Sequence, residues 1–353
     1  FLYTSSFNQN IGNWNVSSVI NMSEMFSFAG AFNQNLNNWN VLAVTDMTEM
    51  FLYATSFNQS LAAWGPKFNP MVNLTRMLNN SGLNITNYDA TLTGFNAANV
   101  TGITFGANAL KYCTSAAARA NLVLPISSGG KGWNITGDYQ ACPFITRWNL
   151  ATSGSGATQL SFGVATSGTV NYTWQQIGGA GAVGSGTFSG TTATITGLPA
   201  GAIIDLSIDP LNFQRIHINN GMDKSRLTQM KQWGNVAWTS MEAAFFGCNN
   251  MTLTAVDIPN TSAVTNMSNM FMNCSSFNQA LPNGFSTSAA TNMSGMFRGC
   301  SSYNQPLPVS FNTSSVTDVS SMFENCQVYN QILPNSFNTS AVTNMNAMFF
   351  QCS

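Results

Sequence analysis

Charged side chains are scarce in this sequence of 353 residues, since only 7% of them are Asp, Glu, Lys or Arg, against about 25% in ordinary soluble domains. The formal net charge is -1 and there is one histidine. No basic patch is present to neutralise phosphates, so we expect no nucleic-acid partner. No polybasic segment would hold an anionic membrane, and no apolar run approaches the roughly 20 residues of a membrane span. We therefore expect no direct membrane insertion.

Groups that carry out catalysis are equally sparse. His217 lies in the alternating run Arg215–Ile218 without a Cys, Asp or Glu at ligand spacing, and no Cys-x-x-Cys pair occurs. The carboxylates are scattered, and no nucleophile has a base beside it in a readable motif. These absences favour a protein that is not an enzyme and that uses no cofactor or metal.

What the sequence has in abundance is repetition. The segment Thr265–Phe277, TNMSNMFMNCSSF, returns with a step of 26 residues in copies that begin at Thr291, Thr317 and Thr343. A looser pair with a 25-residue step, INMSEMFSFAGAF and TDMTEMFLYATSF, lies within residues 20–57. A period in this range is typical of stacked repeats, each of which buries its apolar side against its neighbours.

The pattern within each copy predicts its local structure. A Thr, Asn or Asp precedes Met-x-x-Met-Phe, which indicates an N-cap followed by one or two helical turns, and the stretch around Ile11–Trp14 predicts an extended segment. A short strand plus a short helix per coil predicts a leucine-rich-repeat-like solenoid. A purely β solenoid is the alternative that this pattern leaves open.

Between the two repeat regions the composition changes to Gly, Ser, Thr and Ala separating short alternating runs. Seven such runs predict an all-β immunoglobulin-like sandwich module between two solenoid segments. The expected strands are 144–150, 159–164, 170–177, 184–188, 192–196, 202–208 and 213–218. The predicted domains are an N-terminal solenoid at 1–112, a cap at 113–142, the sandwich at 143–220 and a C-terminal solenoid at 221–353.

The seven cysteines fall into two groups. We expect Cys113 and Cys142, both in the cap, to form a disulfide that stabilises the fold by ~3 kcal/mol on the chain-entropy model. The other five recur once per copy, in a column that holds Ala29 and Ala54 near the start, which favours buried structural thiols. Disulfides between neighbouring copies are the alternative. These ladder cysteines are Cys248, Cys274, Cys300, Cys326 and Cys352.

Polar and aromatic columns recur as well. Asn-Gln pairs such as Asn278-Gln279 stack in register, and we expect their amides to hydrogen-bond from copy to copy. Glu49 and Arg76 are expected to pair across neighbouring copies. One tryptophan per copy indicates a core position, with a sugar-stacking face as the alternative. These tryptophans are Trp14, Trp39 and Trp64.

The Met-Ser-x-Met-Phe, Phe-Asn-Gln and Trp-Asn-Val patterns resemble the BspA-like leucine-rich-repeat family of bacterial surface proteins, which carry Asn-rich repeats. The segments Leu110–Cys113, Gly132–Thr136 and Gln232–Trp238 also resemble junctions in long members of that family. The resemblance implies an extracellular, cell-surface location in a bacterium and an adhesive or structural role. It supplies no catalytic residues, and it does not identify the ligand.

The favoured hypothesis is a non-enzymatic extracellular repeat protein, part of a long adhesin or stalk, which contacts a cell-surface or extracellular-matrix protein or glycan. The chain starts in mid-repeat at Phe1 and stops at Ser353, so we expect both ends to be cuts through a longer array. A filament or sheath subunit that associates end to end is the second hypothesis. A carbohydrate-binding module that uses Trp14, Trp39 and Trp64 is the third.

Overall fold

The computed structural model describes residues 1–352 and divides into two compact units, Phe1–Ala141 and Cys142–Ser353. Helices are few: α1 is Ile85–Asn96 and α2 is Ala116–Val123. Short 3-10 turns occur at Ala62–Lys67, Ile126–Ser128 and Lys224–Arg226. Within the described residues, no helix has both the length and the apolar character that crossing a bilayer requires.

The strands are short and form several separate sheets. Those of the first unit are β1, Thr104–Gly106; β2, Lys111–Tyr112; β3, Asn134–Thr136; and β4, Tyr139–Gln140. β1 pairs with β3 and β2 pairs with β4, both in parallel. Those of the second unit are β5, Phe144–Asn149; β6, Leu160–Thr166; β7, Val170–Ile177; β8, Val183–Phe188; β9, Thr192–Ile195; β10, Ile203–Ile208; β11, Phe213–His217; β12, Leu227–Gln232; and β13, Thr252–Leu253.

Two sheets of the second unit share a buried core. The larger sheet has the strand order β13-β12-β5-β10-β7-β8, and the smaller has the order β11-β6-β9. Trp148 on β5 stacks on Phe162 on β6 with ring centroids 5.3 Å apart, so the inner faces of the sheets meet at this pair. Each of the seven runs expected between 143 and 220 contains a strand, but β12 and β13 from beyond that segment complete the larger sheet.

Consecutive copies of the repeat lie side by side and are joined by backbone hydrogen bonds. The amides of Met22 and Phe26 donate to the carbonyls of Asp46 and Met50 in the next copy, both at 2.8 Å. The amide of Met25 donates within its own copy to Met22. Some amides of the segment therefore donate to the next copy and others donate within their own copy. In this way the backbone hydrogen-bonding groups are paired without a regular helix or strand. Parallel bridges join Asn21 to Asp46, Asp46 to Asn73, Asn266 to Asn292, Asn292 to Asp318 and Asp318 to Asn344.

Each copy has two residues with left-handed backbone, four positions apart, within this segment. Glu24 and Phe28 have φ of 57° and 56°, and Tyr53 in the next copy has φ of 54°. Such residues interrupt a right-handed helix. The residue expected to be an N-cap closes a turn instead, since a carboxylate oxygen of Asp46 accepts the amide of Thr48 at 2.9 Å.

The predicted fold class is therefore wrong. The chain is not a leucine-rich-repeat-like solenoid with a short strand plus a short helix per coil around an immunoglobulin-like sandwich module. It is mostly β structure in several separate sheets, and about 9% of it is helical. Met-x-x-Met-Phe has the apolar spacing of a helical face, but the Asn or Asp just before it closes a local turn that competes with the helix.

Candidate functional site

The five ladder cysteines are free thiols in the interior of the second array (residues 241–352), except that Cys352 is half-buried. The Sγ atoms of Cys300 and Cys326 donate to the carbonyls of Phe271 and Phe297, both at 3.0 Å. Burial raises the pKa of Cys326 to about 12. A thiol that stays protonated at neutral pH is a poor nucleophile and metal ligand. The column therefore packs the interior as thiols rather than as disulfides between copies.

Cys113 and Cys142 are both disulfide-bonded. Their backbone is also anchored, since the amide of Cys113 donates to Asp89 at 2.8 Å and the amide of Cys142 donates to Asn235 at 2.7 Å. Neither residue offers a free thiol for redox or nucleophilic chemistry.

The tryptophan column has two different environments. Trp39 and Trp64 are fully buried, and their indole N–H groups donate to the carbonyls of Ile11 and Leu36 in the preceding copy at 3.1 and 3.0 Å. Trp14 is 50% exposed. The alternative of a sugar-stacking face is wrong for Trp39 and Trp64, because protein covers their ring faces. Of the three tryptophans, Trp14 alone keeps a solvent-exposed ring.

The Asn-Gln columns make the predicted contacts between copies. The backbone amide of Asn33 and the side-chain amide of Gln34 both donate to Oδ1 of Asn8, at 2.9 and 2.8 Å. In the second array the amide of Asn304 donates to Oδ1 of Asn278 at 2.9 Å. Copy-to-copy bonding is confirmed, and it engages the side-chain oxygens that a ligand would need.

Asp89 on α1 holds the start of α2 in place. Its carboxylate accepts five hydrogen bonds, from the amides of Cys113, Thr114 and Ser115 and from the hydroxyls of Thr114 and Ser115. Burial acts to raise the pKa of Asp89, but the hydrogen bonds from Ser115, Cys113 and Thr114 outweigh it and lower that pKa below 3.8. This buried carboxylate is a structural anchor.

A second buried carboxylate joins three elements of the first unit. Asp138 accepts from Nε and Nη2 of Arg119 at 3.1 and 2.7 Å and from the hydroxyl of Tyr88 at 3.0 Å. Burial, followed by the charge of Asp138, raises the pKa of Tyr88. A carboxylate neutralised by a bidentate arginine is not available as a general base.

His217 is half-buried on β11. Burial, followed by the charge of Arg215, lowers its pKa. Among residues 1–352, no group of three or more His, Cys, Asp or Glu side chains is arranged to hold a metal ion.

One charged cluster lies on the outer face of the six-stranded sheet. Asp205 on β10 contacts Arg147 on β5 at 2.7 Å and Lys231 on β12 at 2.6 Å. The sequence shows Arg147 and Asp205 as isolated polar residues in alternating strands. Only the strand register, in which Asp205 lies opposite Arg147, brings them together.

A family model described as Mycoplasma protein of unknown function, DUF285, matches residues 1–103 and 239–353. The two matched segments contain the repeats, and the two large sheets lie mostly between them. No curated protein matches the chain, and no solved structure does.

Proposed function

Because the chain belongs to the DUF285 family, whose description assigns no activity, we propose its function from geometry: a non-enzymatic extracellular surface protein of a bacterium. It is part of a long adhesin or stalk, in which the repeats form a rigid scaffold and a contact surface. The observation that carries the proposal is the backbone hydrogen-bond ladder between copies. The resemblance to BspA-like surface proteins supports the same role.

The ladder supports a scaffold because each junction between copies is closed by several bonds at once. In the second array, Met267 and Phe271 donate to Asn292 and Met296 in the next copy, both at 2.9 Å. Each such bond contributes about 0.5–1.5 kcal/mol. The buried rings of Phe271 and Phe297 stack behind them with centroids 5.7 Å apart. Copies joined in this way resist separation.

The surface chemistry supports a role in contacts with polar partners. Charge is low, and exposed threonines recur in the second array at Thr265, Thr291 and Thr317. The hydroxyls of Thr291 and Thr317 donate to the preceding copy at 3.2 and 3.1 Å, and their oxygens keep lone pairs that can accept from a partner. Such groups exchange hydrogen bonds with a protein or a glycan at little desolvation cost compared with charges. The proposed partner is a cell-surface or extracellular-matrix protein or glycan.

Surface labelling of intact cells tests the proposal. A membrane-impermeant biotin reagent should label the protein on intact cells as strongly as after lysis, whereas a cytosolic enzyme in the same cells should be labelled only after lysis. Cells that lack the protein should attach less well to host surfaces or to one another. Labelling that requires lysis, or attachment that is unchanged without the protein, would contradict the proposal.

A further inference from the structure

The outer face of the six-stranded sheet carries a row of polar residues that crosses several strands. Alternation along β5 turns Trp148 inward and Arg147 outward. The register places Asp205 on β10 opposite Arg147 on one side and opposite Gln175 on β7 on the other. Gln229 on β12 lies opposite Arg147. The row therefore runs from β7 to β12.

Two cations in this row share one carboxylate. Nε and Nη2 of Arg147 donate to the two oxygens of Asp205 at 2.7 and 3.0 Å, and Nζ of Lys231 donates at 2.6 Å. The local charge is therefore +1. Arg147 and Lys231 keep 24% and 32% of their side-chain surface exposed.

Both cations retain unused donors. Arginine has five N–H donors and lysine has three, and Asp205 takes two from Arg147 and one from Lys231. The side-chain hydrogen bonds that the structure shows for Arg147 and Lys231 go to Asp205. Elsewhere in the second unit, ion pairs such as Arg298–Glu324 join one cation to one carboxylate. The sheet face differs because its positive charge exceeds its negative charge.

The neighbouring exposed side chains on β7 and β8 are uncharged, and apart from Val183, which lies opposite Gln175, they are polar. Asn171, Thr173 and Gln175 are exposed on β7, and Ser185 and Thr187 are exposed beside them on β8. The register pairs Thr173 with Ser185 and Asn171 with Thr187. Amide and hydroxyl groups in such an open row match the hydroxyls of a sugar chain.

We propose that this row binds an acidic polysaccharide, with Arg147 and Lys231 holding a carboxylate or sulfate group and the amides and hydroxyls of β7 and β8 binding sugar hydroxyls. A nucleic acid or an anionic membrane needs several cations in succession, whereas this face offers one excess charge. The inference rests on the proposed surface location and names the class of partner.

Binding of the 353-residue chain to immobilised polysaccharides tests the inference. Hyaluronan presents carboxylates, heparin presents sulfates and carboxylates, and dextran is the neutral control. We expect binding to at least one acidic probe and none to dextran. Lys231→Gln should weaken binding at least tenfold, since a hydrogen bond to a charged group is lost. Asp205→Asn should strengthen binding, because the competing carboxylate is removed.

Arg298→Gln is the matched control, because it breaks an ion pair away from the sheet face, and it should leave binding unchanged. Circular dichroism should show that every variant is folded. The inference is overturned if acidic probes and dextran bind alike, if no acidic probe binds, or if Lys231→Gln has no effect. Binding to phosphatidylglycerol vesicles without binding to either polysaccharide also overturns it. If surface labelling succeeds while saccharide binding fails, this inference falls and the proposed function stands.

Discussion

The ring of Tyr53 stacks on that of Phe28 with centroids 4.9 Å apart, although both residues have left-handed backbone. Bulky residues seldom adopt this conformation. In the second array the equivalent column holds Asn273, Gly299 and Asn325, which accept it more readily. Ring stacking between Phe28 and Tyr53 in the repeats of the first unit therefore offsets the free-energy cost of left-handed backbone, a cost that the second array largely avoids.

Substitution of Phe28 separates the backbone cost from the stacking. Phe28→Ala and Phe28→Asn both remove the ring and its contacts with Tyr3 and Tyr53, so both should lower the free energy of unfolding. The Asn variant should be more stable than the Ala variant by about 0.5–1 kcal/mol, because Asn tolerates left-handed backbone. Urea unfolding measures the difference. The same pair of substitutions at exposed Thr55 should differ by less than about 0.5 kcal/mol, and equal stabilities at Phe28 would argue against backbone strain.

Thiol titration tests the cysteine assignments. At pH 8 the native chain should react slowly with Ellman's reagent at the four buried ladder cysteines, because burial keeps thiols such as Cys326, whose pKa is about 12, protonated. Cys352 is half-buried and should react first. After denaturation five thiols should react, and all seven cysteines should react once the chain is also reduced. Rapid reaction of four or more thiols in the native chain would contradict the assignment of the ladder cysteines to the interior.

Asp89 should make stability depend on acid pH. Its pKa is lowered from 3.8 in the folded chain, so its stabilisation is fully present above about pH 4 and is lost as pH falls through the lowered pKa. Asp89→Asn should cost about 2–3 kcal/mol at pH 7, because an amide cannot accept all five hydrogen bonds. Thermal unfolding between pH 2 and 7 should show a weaker acid dependence in this variant. Glu24→Gln, at an exposed position, should change stability by less than about 0.5 kcal/mol. An unchanged acid dependence in Asp89→Asn would contradict the assignment.

The tryptophan column should contribute to stability according to burial. Trp64→Phe leaves the carbonyl of Leu36 without its indole donor and should cost about 1–3 kcal/mol. Trp14→Phe, at a half-exposed ring, should cost less than about 0.5 kcal/mol. Denaturant unfolding of the two variants measures the contrast. A larger loss at Trp14 than at Trp64 would contradict the structural role.

Several features follow from the sequence because they depend on period and alternation. The 26-residue step predicts which columns are interior, as at Met270, Met296 and Met322, which are fully buried. Alternation between 143 and 220 predicts the positions of β5 to β11. Column matching predicts the ion pair between Glu49 and Arg76, and the structure confirms it with a nitrogen–oxygen distance of 2.7 Å.

Other features were decided only by the tertiary structure. The Met-x-x-Met-Phe segment forms turns for two reasons. Its backbone pairs with the next copy, and the side chain of the residue before it, Asn21 or Asp46, accepts a hydrogen bond from the amide two residues later. Helical periodicity describes spacing along one segment, and it says nothing about a neighbouring copy that competes for the same backbone groups. The Asp205 cluster likewise depends on the register between strands distant in sequence. The local sequence pattern thus determined which residues are buried. Contacts between segments distant in sequence determined the backbone conformation in which they are buried.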